Sequence, residues 1–496
     1  MTSEALRKAR EFEETYESCV PEAERPLFHA APGIGWMNDP NGFSFYRGEC
    51  HLFYQYNPYS THWDTMHWGH LKTRDFIRWE RLPAALAPDH DYDRGGCYSG
   101  GAAELPDGRQ LLMYTGIRRE RESDGVERER QTQCLAVGDG RDYEKYERNP
   151  VLTAENLPAG GKTFDFRDPK LWREQDGTYH AVIVTRMEDE SGAVLLYRSA
   201  DGFSWRFERI LERCRNEYGK MWECPDFFPL DGRQVLLVSP MEMRPLEWEF
   251  HAGYGTICLI GRHNAENGAF LRENVHSVDY GLDFYAAQTV ETPDGRRVMI
   301  AWMQNWTNAN CQPQNIRHYG EMTVPRELSI RDNRLIQNPV RELARYRTKP
   351  VLYSNVPVTE EISLKGIRGR VLDMTLSVRP SLENGYRWFK VRVAKDRERM
   401  TTVRYRPDCS MIQIDRSRCG APYDIVHMRN FPVRRRNGEL KLRFVMDRHS
   451  LELFVNDGEQ AASLLLHTPE TADFISFEAD GGAVLMDVEK YDLEVS

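Results

Sequence analysis

One pattern recurs five times in this chain: a turn glycine, two or three mostly polar residues, then a short apolar strand. It appears as "RGECHLFYQYN" at Gly48, "DGRQLLMYTG" at Gly108, "DGTYHAVIVT" at Gly177, "DGRQVLLVSP" at Gly232 and "DGRRVMIAWM" at Gly295. Successive glycines lie 60, 69, 55 and 63 positions apart. A hairpin repeated at such intervals, with other strand-like runs between, predicts an antiparallel five-bladed β-propeller over residues 25–340. "RDFIRWERL" and "ADGFSWRFERIL" share an Asp and a Trp four apart, Asp75/Trp79 and Asp201/Trp205, expected to tie the outer part of a blade.

Nine positions before each glycine stand Asp39, Ser99, Asp168, Glu223 and Ala286. Equivalent positions of a propeller converge on its axis, so three carboxylates are expected to face one another across one funnel. In isolation "WMNDPNG" is only a turn, since Asn, Asp, Pro and Gly are the usual turn formers. Seven positions after each glycine stand Gln55, Thr115, Val184, Ser239 and Trp302, which brings Gln55 and Trp302 to the same cavity.

Clustered carboxylates in a partly dry pocket cannot all ionise cheaply, so one is pushed towards a general acid while another, held ionised by donors, attacks or stabilises a cation. That division of labour underlies glycoside cleavage. Arg167 would keep Asp168 ionised and reach sugar hydroxyls. Trp36, Trp63, Tyr98, Tyr285 and Trp302 offer flat apolar faces, and Asn38, Gln55 and Ser99 offer hydroxyl partners. A carboxylate-bound calcium or magnesium is the rival chemistry, but no D-x-D-x-D loop or His cluster accompanies the acids, so neither metal nor cofactor is expected.

With 496 residues and 40% hydrophobic content the chain can build two cores. A formal net charge of −10 leaves no basic footprint for nucleic acid or an anionic membrane, so neither is an expected partner. The charge runs 118–130 and 429–441 read as hairpin ends or solvated loops. The ten cysteines lack C-x-x-C spacing and read as reduced small hydrophobes. The amino terminus is charged and has no apolar leader core, which makes a cytoplasmic location the expectation. Residues 1–24 read as a helical extension, with a helix over 3–19 docking on the propeller. Residues 341–356 read as a linker broken at Pro350, and 357–496 as a β-sandwich with a structural role. Within it Leu440, Leu442, Phe444 and Met446 alternate, and a hairpin turns at Asn456-Asp457-Gly458.

"WMNDPNG" (36–42), "FRDP" (166–169) and "ECPD" (223–226) resemble the three signature blocks of glycoside hydrolase family 32, the β-fructofuranosidases: invertases, sucrose-6-phosphate hydrolases, inulinases and levanases. The similarity continues through "HLFYQYNP" (51–58), "MHWGH" (66–70), "YSGG" (98–101), "DFYAAQT" (283–289), "AWM" (301–303) and "DRHSLELFVNDG" (447–458). The resemblance implies Asp39 as nucleophile, Glu223 as acid/base and Asp168 as transition-state stabiliser. It also implies a fructose subsite lined by Asn38, Gln55, Trp63, Tyr98, Ser99 and Arg167, with Tyr285 and Trp302 beside it. Tyr98 departs from the family's usual Phe. The implied reaction is retaining, with the two carboxyl groups roughly 5–5.5 Å apart. Sucrose and short fructo-oligosaccharides are the expected substrates. Sucrose-6-phosphate is the alternative, needing cations such as Arg118, Arg119, Lys220 or Arg317 beyond the fructose. Fructosyl transfer and non-catalytic fructan binding complete the set.

Overall fold

The computed structural model describes residues 2–121, 125–264, 266–313, 315–381, 385–421 and 424–495. The five turn glycines all adopt left-handed backbone, with φ of 81°, 80°, 88°, 76° and 82°, so the recurring residue is glycine because the turn demands that region. Each hairpin opens a four-stranded antiparallel sheet whose first strand is Gly35–Tyr46, Gly96–Glu104, Gly161–Arg173, Trp222–Leu230 or Tyr285–Glu291. These five inner strands touch in cyclic order, the fifth against the first, which closes a five-bladed propeller. The chain then leaves the fifth blade after Arg297–Trp302 and returns at Arg326–Arg331. On that excursion His318–Tyr319 pairs in parallel with Gly35 and Trp36, stitching the last blade to the first.

Both faces of every blade are buried, which is why the strands read as apolar runs rather than alternating ones. In the second blade Leu112 and Tyr114 pack with Phe53 and Trp68 of the first, while Leu111 and Met113 pack with Leu171 and Tyr179 of the third. Asp75 and Asp201 cap the loops before the outermost strands, accepting from Ile77 and Arg78 and from Phe203 and Ser204. The charged run 118–130 forms the hairpin between Gln110–Arg121 and Glu127–Gly138, with 122–124 outside the described residues.

Glu4–Tyr16 is a helix capped by Ser3, and it buries Leu6 and Ala9 against the first blade. Arg10 donates to the Ala84 carbonyl and Glu13 accepts from the Ala84 amide, so the helix grips the blade's outer strand at one residue. No described helix is long and apolar enough to cross a membrane.

The C-terminal sandwich packs a six-stranded sheet on a five-stranded one. Leu440, Leu442, Phe444 and Met446 all enter its core, and the turn at Asn456, Asp457 and Gly458 is left-handed throughout. The segment expected to be a linker, 341–356, is instead a short 3-10 turn, Arg341–Tyr346, followed by Arg347–Val358, an edge strand of the larger sheet. Pro350 misleads here because an edge strand tolerates it: the register shifts between Thr348 and Val351, and no pairing partner misses its N–H.

Propeller and sandwich meet over a buried ion network. His29 Nδ1 lies 2.9 Å from Asp447 and Nε2 3.0 Å from Glu452, while Arg326 reaches Glu452 and, at 3.0 Å, Asp279. Burial opposes a charge on His29, but hydrogen bonds to Asp447 and Glu452 outweigh it and hold the imidazolium up to about 10. Burial opposes ionisation of Asp447 likewise, and His29 with the amides of Phe28 and Leu27 brings it down to about 2. His29→Gln leaves buried Asp447 without its cation, while Glu452 keeps Arg326, and is expected to cost about 3–5 kcal/mol. The imidazolium's contribution is complete below its ordinary 6.5 and is lost as pH rises through about 10. Guanidinium unfolding midpoints followed from neutral to strongly alkaline pH should therefore decline progressively from about 6.5 and level off near pH 10 in the wild type, on a limb absent from the variant.

Candidate active site

All five inner strands bulge at the same level. Between Met37 and Pro40, Tyr98 and Gly100, Arg167 and Lys170, Glu223 and Asp226, and Tyr285 and Gln288, each inner strand holds one residue more than its partner. A bulge leaves a residue unpaired and re-aims its neighbours, here towards the propeller axis. Asp168, Cys224 and Ala286 take left-handed φ of 59°, 49° and 57°, a strained backbone for non-glycine residues at three equivalent places.

The bulges stack two tiers of residues. Asp39, Ser99, Asp168, Cys224 and Ala286 form one, and Asn38, Tyr98, Arg167, Glu223 and Tyr285 form the other. Glu223 is thus not in phase with Asp39 and Asp168, as counting back from the glycines suggested; Cys224 holds that position. The fourth blade turns in two residues, Leu230 pairing with Arg233, where the third and fifth use longer loops, Arg173 to Tyr179 and Glu291 to Arg297. The count therefore slips by one. The first blade has the same short turn, and a second bulge between Asn41 and Ser44 restores its register.

The inner tier is tightly connected. Ser99 Oγ donates to Asp39 Oδ2 at 3.0 Å, the Cys224 thiol lies 3.5 Å from the same oxygen, and the Cys224 amide donates to Asp168 Oδ2 at 3.1 Å. Burial, then the charge of Glu223, raises Asp39 to about 6, against the donors Asn38, Ser99 and Cys224. Burial also raises Asp168, with Arg167 pulling the other way and Glu223 and Asp39 adding to the rise. Thr115 Oγ1 accepts the Asp168 amide and Ser239 Oγ the Ala286 amide, so two of the residues seven after a glycine support neighbouring bulges.

In the outer tier Arg167 is the hub. It donates to Asp165 and, at 3.0 Å, to Glu223 Oε1, with its Nε 3.7 Å from Asp168. The Tyr285 hydroxyl sits 2.6 Å from Glu223 Oε2. Asn38 Oδ1 accepts from Trp36 Nε1, and Gln55 Nε2 donates to the Cys97 carbonyl. Trp63, 38% exposed, meets Tyr98 and Trp306 edge-on and forms the outermost wall. Trp302 is fully buried edge-on against Trp36 and Trp306, so it backs the site rather than lining it. Trp306, Cys224, Asp165 and Met241, whose Sδ lies 3.6 Å from the Arg167 guanidinium, escaped the sequence reading; only Trp306, four residues beyond Trp302 in "AWMQNW", left an aromatic cue.

One level deeper, polar groups from every blade meet on the axis. Lys170 Nζ donates to the Thr289 carbonyl at 2.7 Å and lies 3.6 Å from Asp226, which accepts the Thr289 amide. Gln288 donates to the Gly100 carbonyl, and Lys170 also reaches the Phe43 carbonyl at 3.5 Å. Among the described residues, Asp89, His90 and Asp93 form the one cluster with metal-ligand spacing, and the Lys145 ammonium already bridges its two aspartates.

The phosphate-recognising cations considered above are engaged. Arg118 pairs with Glu120, Arg119 lies 3.6 Å from Glu129, Lys220 is 2.6 Å from Glu242, and Arg317 donates to the Cys19 carbonyl.

Against known proteins, the pattern "Glycosyl hydrolases family 32 N-terminal domain" matches residues 29–339 and "Glycosyl hydrolases family 32 C terminal" matches 342–494. Sucrose-6-phosphate hydrolase of Zymomonas mobilis is 35% identical over 88% of this chain and 84% of its own length. Raffinose invertase of Escherichia coli is 35% identical over 93% of this chain and 94% of its own. The solved structure of a Bombyx mori family 32 β-fructofuranosidase superposes with a TM-score of 0.83 at 32% identity, covering 99% of this chain and 98% of that one.

Lys170→Met would leave Asp226 buried without its cation, at an expected loss of about 3–5 kcal/mol in chemical unfolding. A loss under about 1 kcal/mol, the worth of one ordinary hydrogen bond, would show the axial tie to be dispensable.

Proposed function

The chain belongs to glycosyl hydrolases family 32, and we propose that it is a retaining β-fructofuranosidase of the invertase type, acting on sucrose and short fructo-oligosaccharides. The observation that carries this reading is the placement of two carboxylates in unlike settings on one axis. Asp39 sits in the buried inner tier, one oxygen fixed by Ser99 and Cys224. Glu223 sits a tier above, between Arg167 and Tyr285, where solvent reaches it.

In this reading Asp39 attacks the anomeric C2 of the terminal fructosyl unit while Glu223 gives its proton to the departing glycosidic oxygen. The C2–O bond to the leaving sugar breaks as the bond to Asp39 forms. Water then attacks C2, Glu223 takes its proton, and the carboxylate of Asp39 is released. Asp168, held by the Cys224 amide, binds fructose hydroxyls as the ring flattens. Arg167 is pinned by Asp165, which fixes the spacing between Glu223 and Asp168. A silent fructan binder would have no use for a proton donor placed above a nucleophile.

Arg118, Arg119 and Lys220 make exposed ion pairs and Arg317 bonds a carbonyl, contacts a phosphate would displace at little cost, so these four cations favour neither substrate. The likeness to sucrose-6-phosphate hydrolases supports the second reading. The two separate in a kinetic comparison of sucrose with sucrose-6-phosphate: a kcat/KM preference of several decades for the phosphorylated sugar would establish the second.

Glu223→Gln is expected to lower kcat on sucrose roughly 10²–10⁴-fold, and Asp39→Asn at least as much. Added azide should restore turnover of the Glu223 variant as a fructosyl azide of retained configuration; an inverted product would rule out the covalent intermediate. Asp39 must be ionised to attack, so kcat/KM should rise with pH through about 6. Ser99→Ala removes a donor to the charged form and should move that acidic limb up by about one pH unit.

A further inference from the structure

Arg167 poses a difficulty for the reaction as read above. Its Nη2 lies 3.0 Å from Glu223 Oε1, and among the described residues it is the one cation within ion-pair distance of Glu223. A guanidinium beside a carboxyl group favours the ionised form, which is the wrong form for a proton donor. Facing Glu223 are Asp39 of the first blade, Tyr98 of the second, Asp168 of the third, Tyr254 of its own and Tyr285 of the fifth. Asp39 and Asp168 serve the reaction itself, so the charge on Arg167 has to be offset from outside the reacting groups.

The third blade supplies that offset two residues upstream. Asp165 and Arg167 share one face of the inner strand Gly161–Arg173, where Arg167 Nη1 donates to Asp165 Oδ1. Asp165 is itself shared. Its other oxygen accepts from Arg186 Nε at 2.5 Å, on the neighbouring strand Tyr179–Met187, and Arg186 Nη1 lies 3.8 Å from Glu190, which also pairs with Lys162. A row of alternating charges thus runs from Glu190 through Arg186, Asp165 and Arg167 to Glu223. Glu190 is 59% exposed and Arg186 19%, while Asp165 and Arg167 are buried, so solvent ions screen the outer end and not the inner one. Burial opposes the charge on Arg167, and Glu223, Asp165 and Asp168 together hold it above its ordinary range.

With Glu223 as the acid/base, the reading on which this rests, we infer that Asp165 is a positioning residue that sets how firmly Glu223 holds its proton, by taking up part of the Arg167 charge, and that Arg186 opposes it from the far side. Two opposite changes follow. Neutralising Asp165 turns the whole of Arg167 towards Glu223 and Asp168 and favours loss of the proton. Neutralising Arg186 leaves Asp165 wholly to Arg167 and favours its retention. A brace that merely oriented Arg167 would lower activity at every pH in both cases and move neither limb of the profile.

The test is the pH dependence of kcat/KM on sucrose. The alkaline limb, where the donor loses its proton, should move down by about one pH unit in Asp165→Asn and up in Arg186→Gln. Above the wild-type limb Asp165→Asn should therefore be roughly tenfold slower than the wild type. Asp165→Glu, which keeps the charge, should return the limb towards its wild-type position. An alkaline limb unmoved in Asp165→Asn, limbs displaced in the same direction in both variants, or a loss uniform across pH overturns the proposal. Arg186 lies nearer the surface, so Arg186→Gln decides the matter by itself should Asp165→Asn fail to fold. Glu223→Gln tests the reading beneath: its residual activity should show no alkaline limb, and a limb that persists there overturns the acid/base assignment and this proposal with it.

Discussion

A ring of five sheets has to be closed twice, once around its circumference and once along its axis, and the axial closure rests on one buried ammonium. The five inner strands converge but cannot pair with one another, so each brings backbone groups to the centre without a ladder partner. Lys170 reaches across to carbonyls of the first and fifth blades, Asp226 neutralises it and takes the Thr289 amide, and Gln288 ties the fifth blade to the second. Burial depresses the lysine's affinity for its proton, and Asp226 compensates. Such a cluster is stabilising only when each member is satisfied, and here the members come from all five blades.

The signature blocks of the sequence acquire a physical meaning from that arrangement. Each supplies one residue to the two tiers and another, one to three positions on, to the axial tie: Asp39 and Asn41, which accepts the Gly100 amide, Ser99 and Gly100, Asp168 and Lys170, Glu223 and Asp226, Tyr285 and Gln288. The bulge between them lets one strand serve both levels. Left-handed backbone at Asp168, Cys224 and Ala286 is strain the axial tie must hold in place. The same burial that dries the tie raises Asp39 and Asp168, so the electrostatics of the site follow from how the ring is plugged.

What could be read from the sequence was whatever repeats with the blades. Five glycines in left-handed turns gave blade number, and their spacing brought Asp39, Ser99 and Asp168 to one level. Features that depend on register between blades were invisible. The two-residue turn at Asp231-Gly232 shifted Glu223 into the tier of Arg167 and Tyr285 and put Cys224 beside Asp39, where a thiol had been read as mere packing. Gln288 stood inside a quoted motif and Lys170 directly after one, yet nothing local marks a lysine that points down an axis. Trp302 looked like a sugar platform by phase, but Trp306 occupies the position in front of it because the excursion after the fifth blade doubles back.

That excursion also gives the sandwich a part in shaping the site. Residues 303–325 carry Trp306 to Trp63 and Trp36, and they run as a long connection that would be mobile if held only at its ends. They are held along their length instead. Val426 of the sandwich donates to Asn308, Cys311 reaches the Asp424 carbonyl, and Glu452 accepts the Val324 amide. On the other side Met322 donates to the Ala30 carbonyl and His318–Tyr319 pairs with the first blade. Glu452 is one of the carboxylates that His29 and Arg326 neutralise, so the ion network at the seam fixes the segment that presents Trp306. The sandwich thereby sets where the aromatic wall of the propeller's cavity stands.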